Sequence, residues 1–273
     1  MSDANSFAAA STGCLVILTG ASRGLGRAMA EQYLLAGATV LGLSRGQPPE
    51  LDAAAIAASD QGARLEQWPA DLAEPLPVVE RLVAWLAAFD GSAAGPVPRR
   101  VRLIHNAALL SAPGNVSDGD AADMAHSLRI GLEAPVALTA AFLRATAHWT
   151  SSDRRVLFVS SGLGRYPMAG SAAYCAQKAG LDHFARALAL EEGAKPGGAR
   201  VASVAPGIID TDMQRQLRGA DPAGFPMQAR FADFHRSGAL DSPAQAAAKV
   251  LALLERDDFG AKPVTDVRDD VRD

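Results

Sequence analysis

A buried strand, a glycine-rich loop and a helix follow one another near the start of the chain, and this order constrains the fold most strongly. The run CLVILTG (14–20) is continuously apolar and stops at glycine, as expected for a strand buried on both faces. It leads through TGASRGLG (19–26) into GRAMAEQYLLAGA (26–38), which has helical spacing. This arrangement predicts the first half of a parallel β-α-β unit.

The rest of the chain repeats the alternation. Further strands are predicted at 39–45, 63–71, 100–108, 154–161, 199–207 and, weakly, 262–267. Helices are predicted from residue 48 and over 75–90, 119–149, 172–192 and 242–258, whereas 210–240 is predicted to be irregular. This order predicts an α/β fold, in which helices cover both faces of one doubly wound parallel sheet.

The length of 273 residues fits one large domain. We predict a flexible leader at 1–13, a single domain at 14–267 and a polar tail at 268–273. Within the domain, residues at about 208–240 are expected to form a lid over the substrate. Ligands of such folds lie at the carboxyl ends of the strands, so the loops that leave the strands are the candidate site.

Composition argues against several classes of partner. The net charge is −4 with no basic stripe, so neither nucleic acid nor an anionic membrane is expected as a partner. No basic segment precedes an apolar run at the N-terminus, and no apolar run is long enough to span a bilayer. Cys14 and Cys175 are expected to be buried free thiols of a cytoplasmic protein, and neither they nor the scattered histidines predict a metal site.

The first loop has the residues that a dinucleotide phosphate requires. Gly20, Gly24 and Gly26 permit a tight turn and a close approach of the main chain to a phosphate, and the helix that follows offers free N–H groups. We expect the loop to contact a cofactor through Gly20, Ser22, Arg23, Gly24, Leu25 and Gly26.

The end of the second strand indicates which dinucleotide is bound. A carboxylate at this place would bond a ribose 2′-hydroxyl, but the strand ends in Ser44 and Arg45. With Arg23 in the glycine loop, two guanidinium groups are expected near the adenosine ribose. This favours NADP(H), because guanidinium groups bind phosphate well.

Tyr174 and Lys178 are one helical turn apart and share a helix face. The chain has four lysines against 22 arginines, so a lysine at a particular place is informative. A nearby ammonium group favours the phenolate, and we therefore predict that Lys178 lowers the pKa of Tyr174 so that it can exchange a proton. Ser161, at the end of the fifth strand, is expected to donate a hydrogen bond to a substrate oxygen.

In combination, the glycine loop, HNAA (105–108), Ser161, the Tyr174/Lys178 pair and PGIIDT (206–211) resemble the short-chain dehydrogenase/reductase family over nearly the whole chain. The resemblance implies a Rossmann-type sheet of about seven strands, bound NADP(H) and hydride transfer to a carbonyl. It implies that Tyr174 is the general acid/base, that Lys178 tunes it and binds ribose, and that Ser161 bonds the substrate. The other cofactor contacts that it implies are Asp71, Leu72, Asn106, Ala107, Ala108, Pro206, Gly207, Ile209 and Thr211.

Within the family, the segments 205–214, 237–243 and 251–261 are most similar to the sepiapterin reductase and benzil reductase subgroup. Those enzymes reduce one carbonyl of a vicinal dicarbonyl or a pterin side-chain ketone. The resemblance implies that Asp266 matches an aspartate that anchors the pterin, and the alternative is a solvated residue of the acidic tail. Leu163 and Met213 are the remaining expected substrate contacts.

Two positions depart from the family pattern. Ala108 replaces a glycine, and Gly131 stands where the family has an asparagine that supports a water-linked proton relay. We expect Gly131 to leave space for a water and activity to survive, and the alternative is a catalytically weak NADP-binding sensor or interaction protein. The predicted helices at 119–149 and 172–192 are apolar around much of their circumference, which predicts a homodimer or homotetramer.

Overall fold

Seven parallel strands form one sheet in the computed structural model, which describes residues 7, 11–89 and 96–269. The strand order β3-β2-β1-β4-β5-β6-β7 confirms the predicted doubly wound parallel sheet. The strands are β1 (Leu15–Thr19), β2 (Thr39–Ser44), β3 (Arg64–Pro69), β4 (Arg100–His105), β5 (Asp153–Val159), β6 (Arg200–Ala205) and β7 (Val264–Asp266). Most of the predicted leader and of the polar tail lies outside the described residues.

Nine helices accompany the strands in the described part of the chain. They are α1 (Gly24–Leu35), α2 (Pro49–Ala57), α3 (Pro75–Ala87), α4 (Ala121–Leu128), α5 (Ala134–Ala145), α6 (Ala172–Gly193), α7 (Asp212–Arg218), α8 (Gln228–Arg236) and α9 (Pro243–Leu254). The long helix predicted over 119–149 is present over 121–145, but a π-helical turn (Arg129–Glu133) within it joins α4 to α5. The segment predicted as irregular contains α7 and α8.

Two apolar cores, one on each face of the sheet, explain the continuous apolar run of β1. Val16 and Leu18 pack into one core, and Leu15 and Ile17 into the other. The first core includes side chains of α1 and α9, and the second includes side chains of α3, α5 and α6. Because successive side chains of a strand point to opposite faces, a strand covered on both sides has no polar face.

The order of the strands reverses at β1, which places the site. The chain runs outward from β1 to β2 and β3, and then returns to the other side of β1 with β4. In the register, Thr19 is beside Leu43 of β2 and His105 of β4. The loops that follow these strands therefore meet at one edge, where doubly wound sheets bind their ligands.

Two further expectations concern the burial of the two cysteines and whether any helix could cross a membrane. Cys14 is a buried free thiol, as predicted, but Cys175 is only half-buried. None of the helices in the described ranges combines the length and the apolar character that crossing a membrane requires.

Candidate active site

A cavity of about 820 Å³ opens at the carboxyl ends of the strands, within the size range of small-molecule sites. Its walls come from the loops after β1, β4, β5 and β6, together with α7 and α8. Nearly all of the residues predicted to contact cofactor or substrate line it, and the two exceptions are Gly26 and Asp266. The structure therefore brings together residues that are distant in sequence.

The glycine loop forms the floor for a dinucleotide phosphate. Gly20 and Gly24 have φ angles of +72° and +55°, which other residues rarely adopt. Gly24 begins α1, whose first turn contains no acidic side chain, so its free N–H groups are available to an anion. A Cβ atom on Gly26 would overlap the main-chain oxygen of Gly20, so this glycine serves packing of the loop rather than contact with a ligand.

The end of the cavity beside β2 and β3 contains the residues that the sequence predicted to contact the adenosine. Ser44, Arg45, Asp71 and Leu72 line it. Arg23 also lines it, but its Nη1 donates to Asp212 Oδ2 at 2.9 Å. Arg45 is therefore the guanidinium group at the place where the sequence predicted a phosphate contact.

The acid/base pair lies in the first turns of α6. Tyr174 and Lys178 are buried, and Lys178 Nζ is 5.5 Å from the centre of the Tyr174 ring. Lys178 Nζ donates to the main-chain oxygen of Val159 at 2.8 Å. The Ser161 side chain lies near enough to Tyr174 to lower its pKa, and its Oγ accepts the N–H of Leu163 at 3.2 Å. Ser161, Tyr174 and Lys178 therefore meet at one wall of the cavity.

Burial controls the protonation of this pair. Burial raises the pKa of Tyr174 well above its usual value, and the hydrogen bond with Ser161 opposes the rise. The prediction that the Tyr174 pKa lies below its usual value is therefore wrong for this arrangement, because burial outweighs the effects that lower it. Burial also lowers the pKa of Lys178 to about 8, against the opposing charge of Asp182. At neutral pH the phenol carries its proton and the lysine its charge.

The part of the cavity beside Leu163 and Met213 is apolar. Leu163 and Met213 pack in one cluster with Tyr174, and this cluster also includes Leu217 of α7 and Phe231 of α8. Pro206, Gly207, Ile209 and Thr211, predicted to hold the nicotinamide end, line the adjoining wall. The segment 208–240 thus faces the acid/base pair, as a cover over the substrate would.

Asp266 is not brought to the cavity wall; Arg268 is. The two carboxylate oxygens of Asp266 accept hydrogen bonds from Arg268 Nε at 2.8 Å and Nη2 at 2.6 Å. Burial alone would raise the pKa of Asp266, but these hydrogen bonds and the charges of Arg268 and Arg165 lower it. Sequence reasoning missed Arg268, because an arginine in an acidic tail gives no signal that it lines a pocket.

The expectation that Gly131 leaves space for a water is also wrong. A Cβ atom on Gly131 would overlap the carboxamide of Gln177, which fills that space. The sequence carried one signal for this residue, because Gln177 lies between Tyr174 and Lys178 on α6. Among the described residues, no group of three or more His, Cys, Asp or Glu side chains is arranged to hold a metal ion.

Residues 14–222 match the family model of the short chain dehydrogenases. The chain belongs to the short-chain dehydrogenase family. Relatives include a benzil reductase ((S)-benzoin forming) of Bacillus cereus, 32% identical over 89% of this chain and 95% of the relative. The sepiapterin reductase of Rattus norvegicus is 34% identical over 90% of this chain and 94% of its own length.

Solved structures include a putative NAD(P)-dependent gluconate 5-dehydrogenase of Beutenbergia cavernae with bound NADP at low occupancy. It has a TM-score of 0.74 and 26% sequence identity, and the match covers 94% of this chain and 95% of the other. These comparisons confirm the resemblance to the short-chain family and to its benzil and sepiapterin reductases.

Proposed function

We propose that this oxidoreductase is an NADPH-dependent carbonyl reductase, which reduces a ketone or one carbonyl of a vicinal diketone. The carrying observation is that Ser161, Tyr174 and Lys178 line the same cavity as the glycine loop. NADPH bound along this loop would supply the hydride. The carbonyl carbon gains that hydride and its oxygen gains a proton, so that a ketone becomes a secondary alcohol.

The protein's own groups provide the proton and the charge stabilisation. Tyr174, protonated at neutral pH, gives its phenolic proton to the carbonyl oxygen. Ser161 donates a hydrogen bond to the same oxygen as negative charge develops there. Lys178, held by the Val159 carbonyl, places an ammonium group beside the phenolate that remains. Water is restricted here, because Tyr174 and Lys178 are both buried.

The preference for NADP(H) rests on charge at the adenosine end. Arg45 and Arg23 line that end, and the C-terminal residue of β2 is Ser44 rather than a carboxylate. A guanidinium group bonds a 2′-phosphate strongly, whereas a carboxylate would repel it.

The substrate end favours an aryl diketone over a pterin. Its wall is built from Leu163, Met213, Leu217 and Phe231, which suit apolar rings. Asp266 is held by Arg268, so the side chain that this corner presents to the cavity is a guanidinium group. Relatives of both kinds exist, and these two features favour the benzil reductases as the guide to substrate.

The test is NADPH oxidation with benzil, 1-phenyl-1,2-propanedione, isatin and sepiapterin. We expect turnover with the diketones, and a loss of roughly 10²- to 10⁴-fold in kcat for Tyr174→Phe, since the proton donor is removed. NADPH affinity of the variant should stay near that of the wild type. Arg268→Ala removes the two side-chain hydrogen bonds to the Asp266 carboxylate, and the ratio of kcat/KM for benzil to that for sepiapterin should therefore fall.

The second candidate is a catalytically weak NADP-binding sensor or interaction protein, favoured by the departures at Ala108 and Gly131. It predicts tight NADPH binding, no turnover with any of these carbonyls and no effect of Tyr174→Phe. That combination of results would replace the reductase proposal.

We further propose that the protein is a cytoplasmic homodimer or homotetramer. Leu190 on α6 is 79% exposed, and both cysteines are free thiols. The proposal rests on the sequence of α6, which is apolar around much of its circumference and leaves Leu190 in solvent in a single copy of the chain. Sedimentation should give a dimer or tetramer, and a monomer at micromolar concentration would contradict the proposal.

A further inference from the structure

Gly131 and Gln177 are complementary in shape. Gly131 lies in the π-helical turn between α4 and α5 and is buried. A Cβ atom there would overlap Cδ, Nε2 and Oε1 of Gln177 together, so the whole carboxamide occupies the space of a side chain at 131. Gln177 is itself fully buried on α6. The amide group that the family pattern led us to expect from residue 131 therefore comes from residue 177.

The Gln177 carboxamide joins three parts of the site. Nε2 donates to the main-chain oxygen of Ser127 at 2.7 Å, and contacts Ser127 Oγ at 3.2 Å and the Leu109 carbonyl at 3.4 Å. Ser127 Oγ donates to the same Leu109 carbonyl at 2.7 Å. This network connects α6, which carries the acid/base pair, to α4 and to the loop after β4.

The side-chain oxygen of Gln177, Oε1, lies in an unusual environment. Oε1 is buried and has no hydrogen-bond partner among the described residues. A buried polar atom without a partner costs about 1–3 kcal/mol, which offsets part of the stabilisation from the hydrogen bonds of Nε2. The amide therefore contributes less to stability than its three contacts suggest, and its fixed position between helices fits a role in holding neighbouring groups in place.

The hydrogen-bond network of Gln177 lies next to the proposed acid/base residues. Gln177 directly precedes Lys178, which follows Tyr174 by one helical turn. Leu109 and Ile130, on the other side of the network, line the cavity. Movement of the Gln177 side chain would therefore shift the acid/base pair relative to two cavity walls.

We propose that Gln177 is a positioning residue for Tyr174 and Lys178, and that Gly131 is the partner that makes room for its carboxamide. The inference rests on the proposed carbonyl reduction, but it concerns the pair of residues rather than the reaction. Its central expectation is reciprocity: each single change disturbs the site, and a compensating double change restores it.

The decisive experiment compares Gln177→Met, Gly131→Asn and the double variant Gly131→Asn/Gln177→Ala with the wild type. Gln177→Met keeps the volume and removes the amide. Gly131→Asn places a second carboxamide in the occupied space. The double variant returns one amide to that space from the other helix. Gln32→Ala is the matched control, since Gln32 Nε2 bonds the Ala244 carbonyl at 3.0 Å away from the cavity.

For each single variant we expect kcat with benzil, per NADPH-binding site, to fall by roughly 10- to 100-fold, because small misplacements of catalytic groups have effects of this size. The double variant should recover to within several-fold of the wild type, and Gln32→Ala should match the wild type. A double variant no better than the worse single variant, or Gln177→Met with the kcat of the wild type, would overturn the inference.

A second readout needs no substrate. The pH dependence of NADPH affinity includes the titration of Lys178, whose pKa is set mainly by burial. A shift of Lys178 in Gln177→Met would change that burial, so the midpoint should move in this variant and return in the double variant. A midpoint unchanged in every variant overturns the inference even where melting temperatures differ. Failure of the wild type to reduce any carbonyl would instead contradict the proposed function, and this readout would still decide the role of Gln177.

Discussion

Asn106 lies so close to Gly26 that no carbon atom fits between them: a Cβ atom on Gly26 would overlap Nδ2 of Asn106. That nitrogen donates to the main-chain oxygens of Thr19 at 3.2 Å and Gly20 at 3.1 Å. The end of β4 is thus bonded to the glycine loop across the switch point of the sheet. The loop keeps its shape through a side chain that lies far from it in sequence.

Gly26→Ala should therefore displace the glycine loop that we expect to bind the cofactor, although residue 26 does not line the cavity. We expect NADPH affinity to fall by at least about tenfold, since misplacing backbone groups that bind a phosphate costs more than 1.4 kcal/mol. Isothermal titration with NADPH measures this. Gly193→Ala, at the exposed end of α6 where a Cβ meets nothing within 4 Å, is the control and should bind normally. Equal affinities for both variants would contradict this account of Gly26.

Arg45→Ala should weaken binding of NADPH but not of NADH. A hydrogen bond to a charged group is worth about 1.5–3 kcal/mol, so the dissociation constant for NADPH should rise by roughly tenfold or more. Arg23 should matter less, because its guanidinium group already bonds Asp212. Arg64→Ala, at the opposite end of β3, is the control. A parallel loss for both dinucleotides in Arg45→Ala would assign Arg45 a role other than phosphate binding.

The sheet could be predicted from the sequence because its signals are local. Each strand is a short apolar run. The glycines that follow β1 and begin α1 indicate directly where the backbone turns. The relative position of Tyr174 and Lys178 likewise follows from their spacing alone, since residues four apart share a helix face. These elements need no information from the rest of the chain.

The errors concern contacts between distant segments. The sequence RIGLE (129–133) is compatible with a continuous helix, and only Gln177 of α6 shows how the π-helical turn is filled. Asp266 was assigned by its place in the family pattern, but Arg268 beside it takes both carboxylate oxygens. The pKa of Tyr174 was predicted from its neighbour Lys178, whereas burial, which no single segment reveals, has the larger effect.

Carbonyl reduction should decline as pH rises through about 8. Burial lowers the pKa of Lys178 to about 8, so the lysine loses its charge well below the ordinary lysine value of 10.5. Above this pH the ammonium group no longer stabilises the Tyr174 phenolate. The pH profile of kcat with benzil measures the midpoint, and a flat profile between pH 7 and 10 would contradict the assignment.

A loss of folding stability caused by the titration of Lys178 cannot explain the decline of activity with pH. Between pH 8 and 10.5 the unfolded lysine binds more protons than the folded one, because the folded pKa is the lower of the two. The contribution of this group to the free energy of unfolding therefore increases with pH across the window. Melting temperatures recorded at pH 7, 8 and 9 provide the control for the activity profile.

Asp153, at the opposite edge of the sheet, should make the free energy of unfolding depend on pH in the acid range. Burial alone would raise its pKa, but Arg102, Arg155 and Arg200 together lower it to about 2. Arg102 is fully buried and also bonds Glu255, with Nη2 at 2.6 Å from Oε2. A folded pKa below the unfolded value of 3.8 means that the stabilisation is complete above about pH 4 and is lost as pH falls to 2.

Denaturant unfolding between pH 2 and 6 tests this. The free energy of unfolding of the wild type should fall as pH decreases from 4 to 2, and Asp153→Asn should remove part of that slope. At pH 6 the variant should be less stable by roughly 2 kcal/mol, the linkage value for a shift of this size. Asp60→Asn is the control, because Asp60 is an exposed aspartate. Matching slopes for Asp153→Asn and wild type would show that the arginine cluster does not hold Asp153 ionised.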